Sequence, residues 1–346
     1  MKRIISCALV LSIILLTLCS CSKQKERFTE TYLEFFDTAS LIVGYEYDIE
    51  KFEDNCLFIE QQLKEYNQLY DIYKTYENIN NIRTVNKNAG VMPVKVDIRI
   101  IELLEYCKEI YTLTNGTVNV AMGSVLSIWH DYRTMAENKP AEAEVPPMDM
   151  LLDASKHTNI NNVIIDKENS TVFLTDPNMS LDVGAIAKGY ATERIAKALI
   201  EKGIENYTLN IGGNIRTIGT KGDGAPWITG VENPIKTSDK AFVLRVELNN
   251  HVFVTSGTYQ RFYTVDGVRY HHIINPKTLM PENNYLSVSI LCGDSGLADA
   301  LSTAVFNMSF DDGKAFIESL DGVEAMWVFD EDDVKYTDGF KNYIYE

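Results

Sequence analysis

The chain has 346 residues, 45% of them hydrophobic, with 49 acidic against 32 basic side chains and a formal net charge of −17. That length supports a large core, and the acidic balance argues against a nucleic-acid partner, because gripping a phosphate backbone requires basic surface. Beyond residue 21 the only cysteines are Cys56, Cys107 and Cys292, isolated and odd in number, so neither a disulfide framework nor a paired-cysteine zinc site is indicated.

Lys2 and Arg3 precede an apolar run over residues 4–18 that is short for a membrane span, so residues 1–20 read as a bacterial export signal. The run ends in Leu18-Cys19-Ser20-Cys21, which resembles a lipobox. That resemblance implies diacylation of the Cys21 thiol and a polar tether over residues 21–30, anchoring a domain over 31–346 to the extracytoplasmic side of the cell membrane. Alternation around Leu41-Ile42-Val43-Gly44-Tyr45 predicts a strand, and spacing over 52–76 predicts a helix with Phe58, Leu63, Tyr66 and Tyr70 facing the core. Residues 86–90 read as a turn, 96–113 as an amphipathic helix stopped by Asn115-Gly116, and 137–147, with three prolines, as a surface loop. Strands are expected over 163–165, 172–174, 207–211, 242–248, 252–255 and 286–291, helices over 296–307 and 313–320, and a hairpin over 326–337. No linker or repeat divides the domain, and the irregular alternation gives an α+β fold with mixed sheets in one large domain.

Residues 178–203, NMSLDVGAIAKGYATERIAKALIEKG, organise the rest. Residues 179–183 read as a strand surfacing at Asp182, Gly184 permits a sharp turn, and Ile186, Tyr190, Ile195 and Leu199 recur at helical spacing from about Ala185 to a C-cap at Gly203. Such a connection leaves backbone N–H groups aimed at one spot, where Lys188 adds positive charge, and the spot suits a phosphate. Alone, Asp-x-Gly-x-x-x-Lys-Gly is an ordinary strand-to-helix connection without the Walker spacing. Downstream come Asn210-Ile211-Gly212-Gly213-Asn214, Thr255-Ser256-Gly257, His271-His272-Ile273-Ile274-Asn275-Pro276-Lys277-Thr278 and Ala298-Asp299-Ala300-Leu301-Ser302-Thr303. In this order and spacing the five motifs resemble the ApbE family, flavin transferases that move FMN from FAD onto a protein threonine, over roughly residues 36–340.

Asp299 and Thr303 lie four apart in the expected helix, so a carboxylate and a hydroxyl share one face. Such a pair is usually a solvated face, but two oxygens so placed also suit magnesium, which keeps waters and takes ligand phosphate. His271-His272 sits in a β-rich stretch where neighbouring side chains point to opposite faces; the pattern fits a structural pair, or a base that takes a proton from a hydroxyl near neutrality. The resemblance implies a metal site of Asp299, Thr303 and the Ala185 carbonyl holding Mg2+, with His272 as base and Lys188 at the diphosphate. It places FAD contacts at Phe36, Thr117, Val118, Asn119, Asp182, Lys188, Ile273, and Tyr76 or Tyr73. It further implies AMP as the leaving group, flavin-accepting subunits of membrane redox complexes of the Rnf and Nqr type as partners, and a duplicated fold of antiparallel sheets covered by helices. The chain departs from the family at Phe36-Asp37, Asn119 and Leu279-Met280, which alters the flavin pocket and leaves the metal motif intact. An FAD pyrophosphatase, with water as acceptor, and a non-catalytic FAD-binding lipoprotein fit the same residues.

Overall fold

The structure, a computed structural model, describes residues 24–235 and 237–345; the export signal and Cys21 lie outside the described residues. In chain order, β1 (Glu26–Phe35) and β2 (Thr38–Glu46) form a hairpin, followed by α1 (Ile49–Tyr70), α2 (Ile82–Lys87), β3 (Val94–Lys95), α3 (Ile98–Leu113), α4 (Gly123–Asn138), α5 (Met148–Ser155), β4 (Val163–Asp166) and β5 (Thr171–Leu174). The second half runs α6 (Ala187–Glu201), β6 (Tyr207–Ile211), β7 (Asn214–Ile218), β8 (Trp227–Glu232), β9 (Phe242–Leu248), β10 (Val252–Gly257), β11 (Phe262–Val265) and β12 (Val268–His271). It continues with β13 (Ser287–Cys292), α7 (Ser295–Phe306), α8 (Phe310–Glu318), β14 (Glu324–Val328) and β15 (Val334–Tyr336).

One eight-stranded sheet, in the order β1-β2-β6-β7-β10-β13-β14-β15, carries the fold. Each neighbouring pair is antiparallel, where pattern alone had suggested mixed sheets. Short hairpins join β1 to β2, β6 to β7 and β14 to β15, and a two-strand turn of that kind permits only antiparallel pairing. Alternation along the strands feeds two cores. Ile42, Leu209 and Ile211 pack under α1, α3 and α6, while Val43, Phe253 and Met326 pack on the other side with Trp227 and Val246 of the β8–β9 pair.

Several expected boundaries move, each for a local reason. Residues 26–30, expected in the tether, are the first half of β1, where Glu26 pairs with Glu46 and Glu30 with Ile42. The helix expected over 52–76 ends at Tyr70, because the Asp71 carboxylate accepts the N–H groups of Tyr73 and Lys74 and so stabilises a turn instead. Asn86 and Lys87 belong to α2, which leaves the turn to start at Asn88. Residues 179–183 form no strand: Met179, Leu181 and Val183 are buried in alternation, but Leu181 exchanges both backbone hydrogen bonds with the Asn86 side chain and Asp182 N–H donates to the Val120 carbonyl. The segment is extended and satisfied without a ladder.

Helix α6 begins at Ala187 and closes as expected, with Gly203 at φ +73°. Gly203 N–H donates to Ile200 and Ile204 N–H to Leu199, the paired bonds of a Schellman cap. Its other end meets α7 at Gly189, where an added Cβ would lie 2.2 Å from the Ser295 carbonyl oxygen and 2.4 Å from the Asp299 Cβ. A buried ion pair, Glu193 to Arg216 at 3.0 Å, ties the same helix to β7, and Glu193 also accepts the Ser295 N–H that opens α7. The two helices bearing the sequence motifs are thus fixed against each other.

Candidate active site

A cavity of about 1000 Å³ opens beside the contact of α6 with α7, large enough for a dinucleotide. Asp182, Ala185 and Lys188 from the α6 turn and Asp299 and Thr303 from α7 line it, together with His272 and Ile273 beyond β12. The β1–β2 turn contributes Phe36, the segment after α3 contributes Thr117, Val118 and Asn119, and the loop after α1 contributes both Tyr73 and Tyr76. All the predicted site residues that are described meet here.

The backbone at the α6 turn differs from expectation. Gly184 N–H donates to Asp182 Oδ1 at 2.8 Å, Ile186 and Ala187 N–H both donate to the Val183 carbonyl, and Gly189 N–H donates to Asp299 Oδ2 at 2.8 Å. These donors are spent within the protein, so the turn is no open cradle of N–H groups, and the attraction for an anion falls chiefly to Lys188. The Lys188 ammonium donates to the Gly184 carbonyl at 3.3 Å, a long bond that an anion can displace.

Asp299 is 5% exposed, and burial pushes its carboxyl above the ordinary carboxylate range while Lys188 and the Gly189 N–H pull it back. Its Oδ1 and the Thr303 hydroxyl take no hydrogen bond among the described residues. A buried carboxylate with an unspent oxygen, four residues from an unspent hydroxyl, fits a hard cation. Among the described residues no three of His, Cys, Asp or Glu gather into a metal cage; a cation held by Asp299 and Thr303 would have to take the rest of its shell from other oxygens. Asp182 is likewise pushed up by burial inside the cavity, with Gly184 N–H, Lys188, His130 and Arg261 opposing the shift.

The two histidines differ sharply. His271 is 2% exposed, with Nε2 2.8 Å from the Glu282 carbonyl and Nδ1 accepting the Ile273 N–H, so both ring nitrogens are occupied and the ring packs edge-on against Phe306. It is structural. His272 faces the cavity, and its Nδ1 lies 3.3 Å from the Arg261 carbonyl. A carbonyl can only accept, so Nδ1 carries the proton and Nε2 keeps a lone pair. Burial, then Arg261, His271, Lys188 and Arg133, push the His272 imidazolium down to about 3, and the ring is neutral.

The residues expected on the flavin side are already partly committed. Asn119 accepts the Ala121 N–H and donates to the Thr158 carbonyl, so its amide shapes the loop. Tyr76 donates to Asp71 at 2.7 Å, whereas the Tyr73 ring lies 5.0 Å from that of His130. At the positions expected to depart from the family pattern, Phe36 and Asp37 adopt φ +54° and +51° at the hairpin tip, and Leu279 adopts φ +61° while its carbonyl accepts the buried Trp129 indole N–H. Sequence reasoning missed His130, Arg133 and Arg261, which also line the cavity. The unrecognised helix α4 supplies the first two, and its Val125, Trp129 and Ala136 spacing was the available signal.

The family model described as ApbE family matches residues 40–327 of the chain. Among curated relatives, the chain is 31% identical over 287 residues to a protein of Vibrio cholerae serotype O1 named FAD:protein FMN transferase, covering 82% of this chain and 80% of the relative. It is 33% identical over 272 residues to one of the same name from Treponema pallidum, covering 75% and 73%. Among solved structures it is similar to the ApbE protein of Thermotoga maritima, with TM-score 0.79 at 28% identity over 93% of this chain and 100% of that one. It is also similar to the flavin transferase ApbE of Vibrio cholerae, with TM-score 0.75 at 25% identity over 92% and 99%. The chain belongs to the ApbE family.

Proposed function

We propose that this chain is an FAD:protein FMN transferase: it binds FAD with magnesium, attaches FMN to a threonine hydroxyl of an acceptor protein and releases AMP. The observation that carries the reading is the meeting of Lys188, Asp299, Thr303 and a neutral His272 in a single dinucleotide-sized cavity. The names of the relatives supply the substrate class. Asp299, Thr303 and the Ala185 carbonyl would hold the magnesium. Bound there, the ion supplies fixed positive charge to the diphosphate oxygens, where charge grows as the leaving phosphate departs.

The chain's own groups account for the remaining steps. Lys188 binds the diphosphate. His272, held with Nε2 free, accepts the proton of the acceptor hydroxyl as that oxygen bonds to the FMN phosphorus and the bridging oxygen leaves on AMP. Burial and the surrounding cations disfavour imidazolium; a bound diphosphate would offset the cations and let the ring hold the proton at the moment of transfer. Placing the acceptors outside the cell, with the chain anchored through a diacylated Cys21, puts enzyme and membrane redox subunits on one side of the membrane.

Asp299→Ala tests the metal assignment. It should abolish magnesium-dependent AMP release from FAD and leave flavin binding, followed by fluorescence, largely intact. Magnesium-dependent AMP formation at the wild-type rate in this variant would remove Asp299 from the site.

A further inference from the structure

Among the cavity groups without an assigned role, Arg133 is largely engaged: Nη2 donates to His130 Nδ1 at 2.8 Å, and Nε lies 3.7 Å from the Glu137 carboxylate. Arg261, on the loop between β10 and β11 at the cavity rim, is not. Among the described residues its guanidinium makes one hydrogen bond, from Nη2 to the Asp37 carbonyl at a long 3.3 Å, and no ion pair. The backbone of the same residue orients the base, since the Arg261 carbonyl accepts the His272 N–H at 3.1 Å and faces Nδ1. An exposed guanidinium with most of its five donors unspent is therefore tethered to the residue that fixes His272.

We propose that Arg261 is a further catalytic residue, whose guanidinium contacts the transferring phosphoryl group beside His272 and complements Lys188. This rests on the transferase reading above. The attacked phosphorus must stand one hydroxyl away from His272 Nε2, at reacting distances of about 3–3.5 Å. The Arg261 side chain lines the same cavity as His272 and Lys188, so a swing away from Asp37 would bring it to the same atoms. As the acceptor oxygen–phosphorus bond forms and the bridging phosphorus–oxygen bond breaks, the proton passes to Nε2 and the electron pair leaves on AMP. Charge on the non-bridging oxygens then meets a planar fork suited to two of them at once. The weak contact with Asp37 holds the side chain at the rim until a phosphate competes for it.

The test compares Arg261→Ala, Arg261→Lys and His272→Ala with the wild type, using FAD, magnesium and an isolated acceptor domain. At saturating FAD, Arg261→Ala should slow transfer about 10²–10³-fold, the cost of removing one charge-stabilising donor, while FAD affinity changes little. Arg261→Lys should recover part of the rate. Added guanidinium ion should accelerate Arg261→Ala, where potassium at equal ionic strength does not, and should leave His272→Ala unaffected. A loss expressed wholly as weaker FAD binding overturns the assignment. Wild-type rates in Arg261→Ala beside a collapse in His272→Ala overturn it alone; wild-type rates in both overturn the transferase mechanism with it.

Discussion

Two adjacent histidines illustrate how environment divides roles within one sequence motif. His272→Ala should cut acceptor flavinylation by about 10²–10⁴, the usual contribution of a general base, with FAD binding nearly unchanged; equal loss of binding would point to a structural role. His271 makes a different prediction. Burial, opposed by the Glu282 carbonyl and reinforced by Arg269, pushes its imidazolium down to about 4 from 6.5. The unfolded chain therefore takes up the proton first, and the stability from keeping His271 neutral is complete above about pH 6.5 and falls as pH drops toward 4. The slope is at most about 1.4 kcal/mol per pH unit for one group. Urea denaturation of wild type and His271→Gln at pH 7, 6 and 5 should show the flatter acid slope in the variant, whose side-chain amide can still donate to the Glu282 carbonyl. Only the resemblance separated the two histidines in the sequence; alternation alone did not, because the difference depends on the carbonyls of Glu282 and Arg261, which the loops flanking β11 and β12 fold back against the pair.

At the scale of elements, the α6–α7 contact sets the site. Gly189→Ala would drive a methyl group into the Ser295 carbonyl and the Asp299 side chain. Relief requires the helices to separate, at a cost typical of overpacking, about 1–3 kcal/mol, and separation stretches the Gly189 N–H bond to Asp299. Thermal melting and FAD turnover should fall together in this variant. Retained turnover with lowered stability would show that Asp299 does not depend on the contact. Strands with one buried and one exposed face were legible to the residue, as at Tyr207–Ile211 and Phe242–Leu248. β1 was not, because most of its side chains are exposed at the sheet edge and the segment reads as polar coil. Residues 179–183 gave the opposite error: their burial alternates like a strand's while their hydrogen bonds go to Asn86 and Val120.

Across the whole molecule, motif order picked out residues that the fold brings to one cavity, while the arginines beside them appeared only in three dimensions. A chain of net charge −17 brings Arg133 and Arg261 to the cavity where the spacing already led to Lys188, and nothing in the spacing of the two arginines announces it. The N-terminal segment carries a separate prediction: Cys21→Ala should move the protein from the detergent phase to the aqueous phase in partitioning, because a polar tether cannot replace acyl chains, and unchanged partitioning would refute lipidation there. The central claim is transfer of FMN to protein, and the direct measurement is intact-mass spectrometry of an acceptor domain incubated with this protein, FAD and magnesium, with nucleotides followed by chromatography. The account predicts an acceptor heavier by one FMN moiety on a threonine, with AMP released in equal amount. Free FMN and AMP formed at the same rate with or without the acceptor, and no adduct, would contradict it.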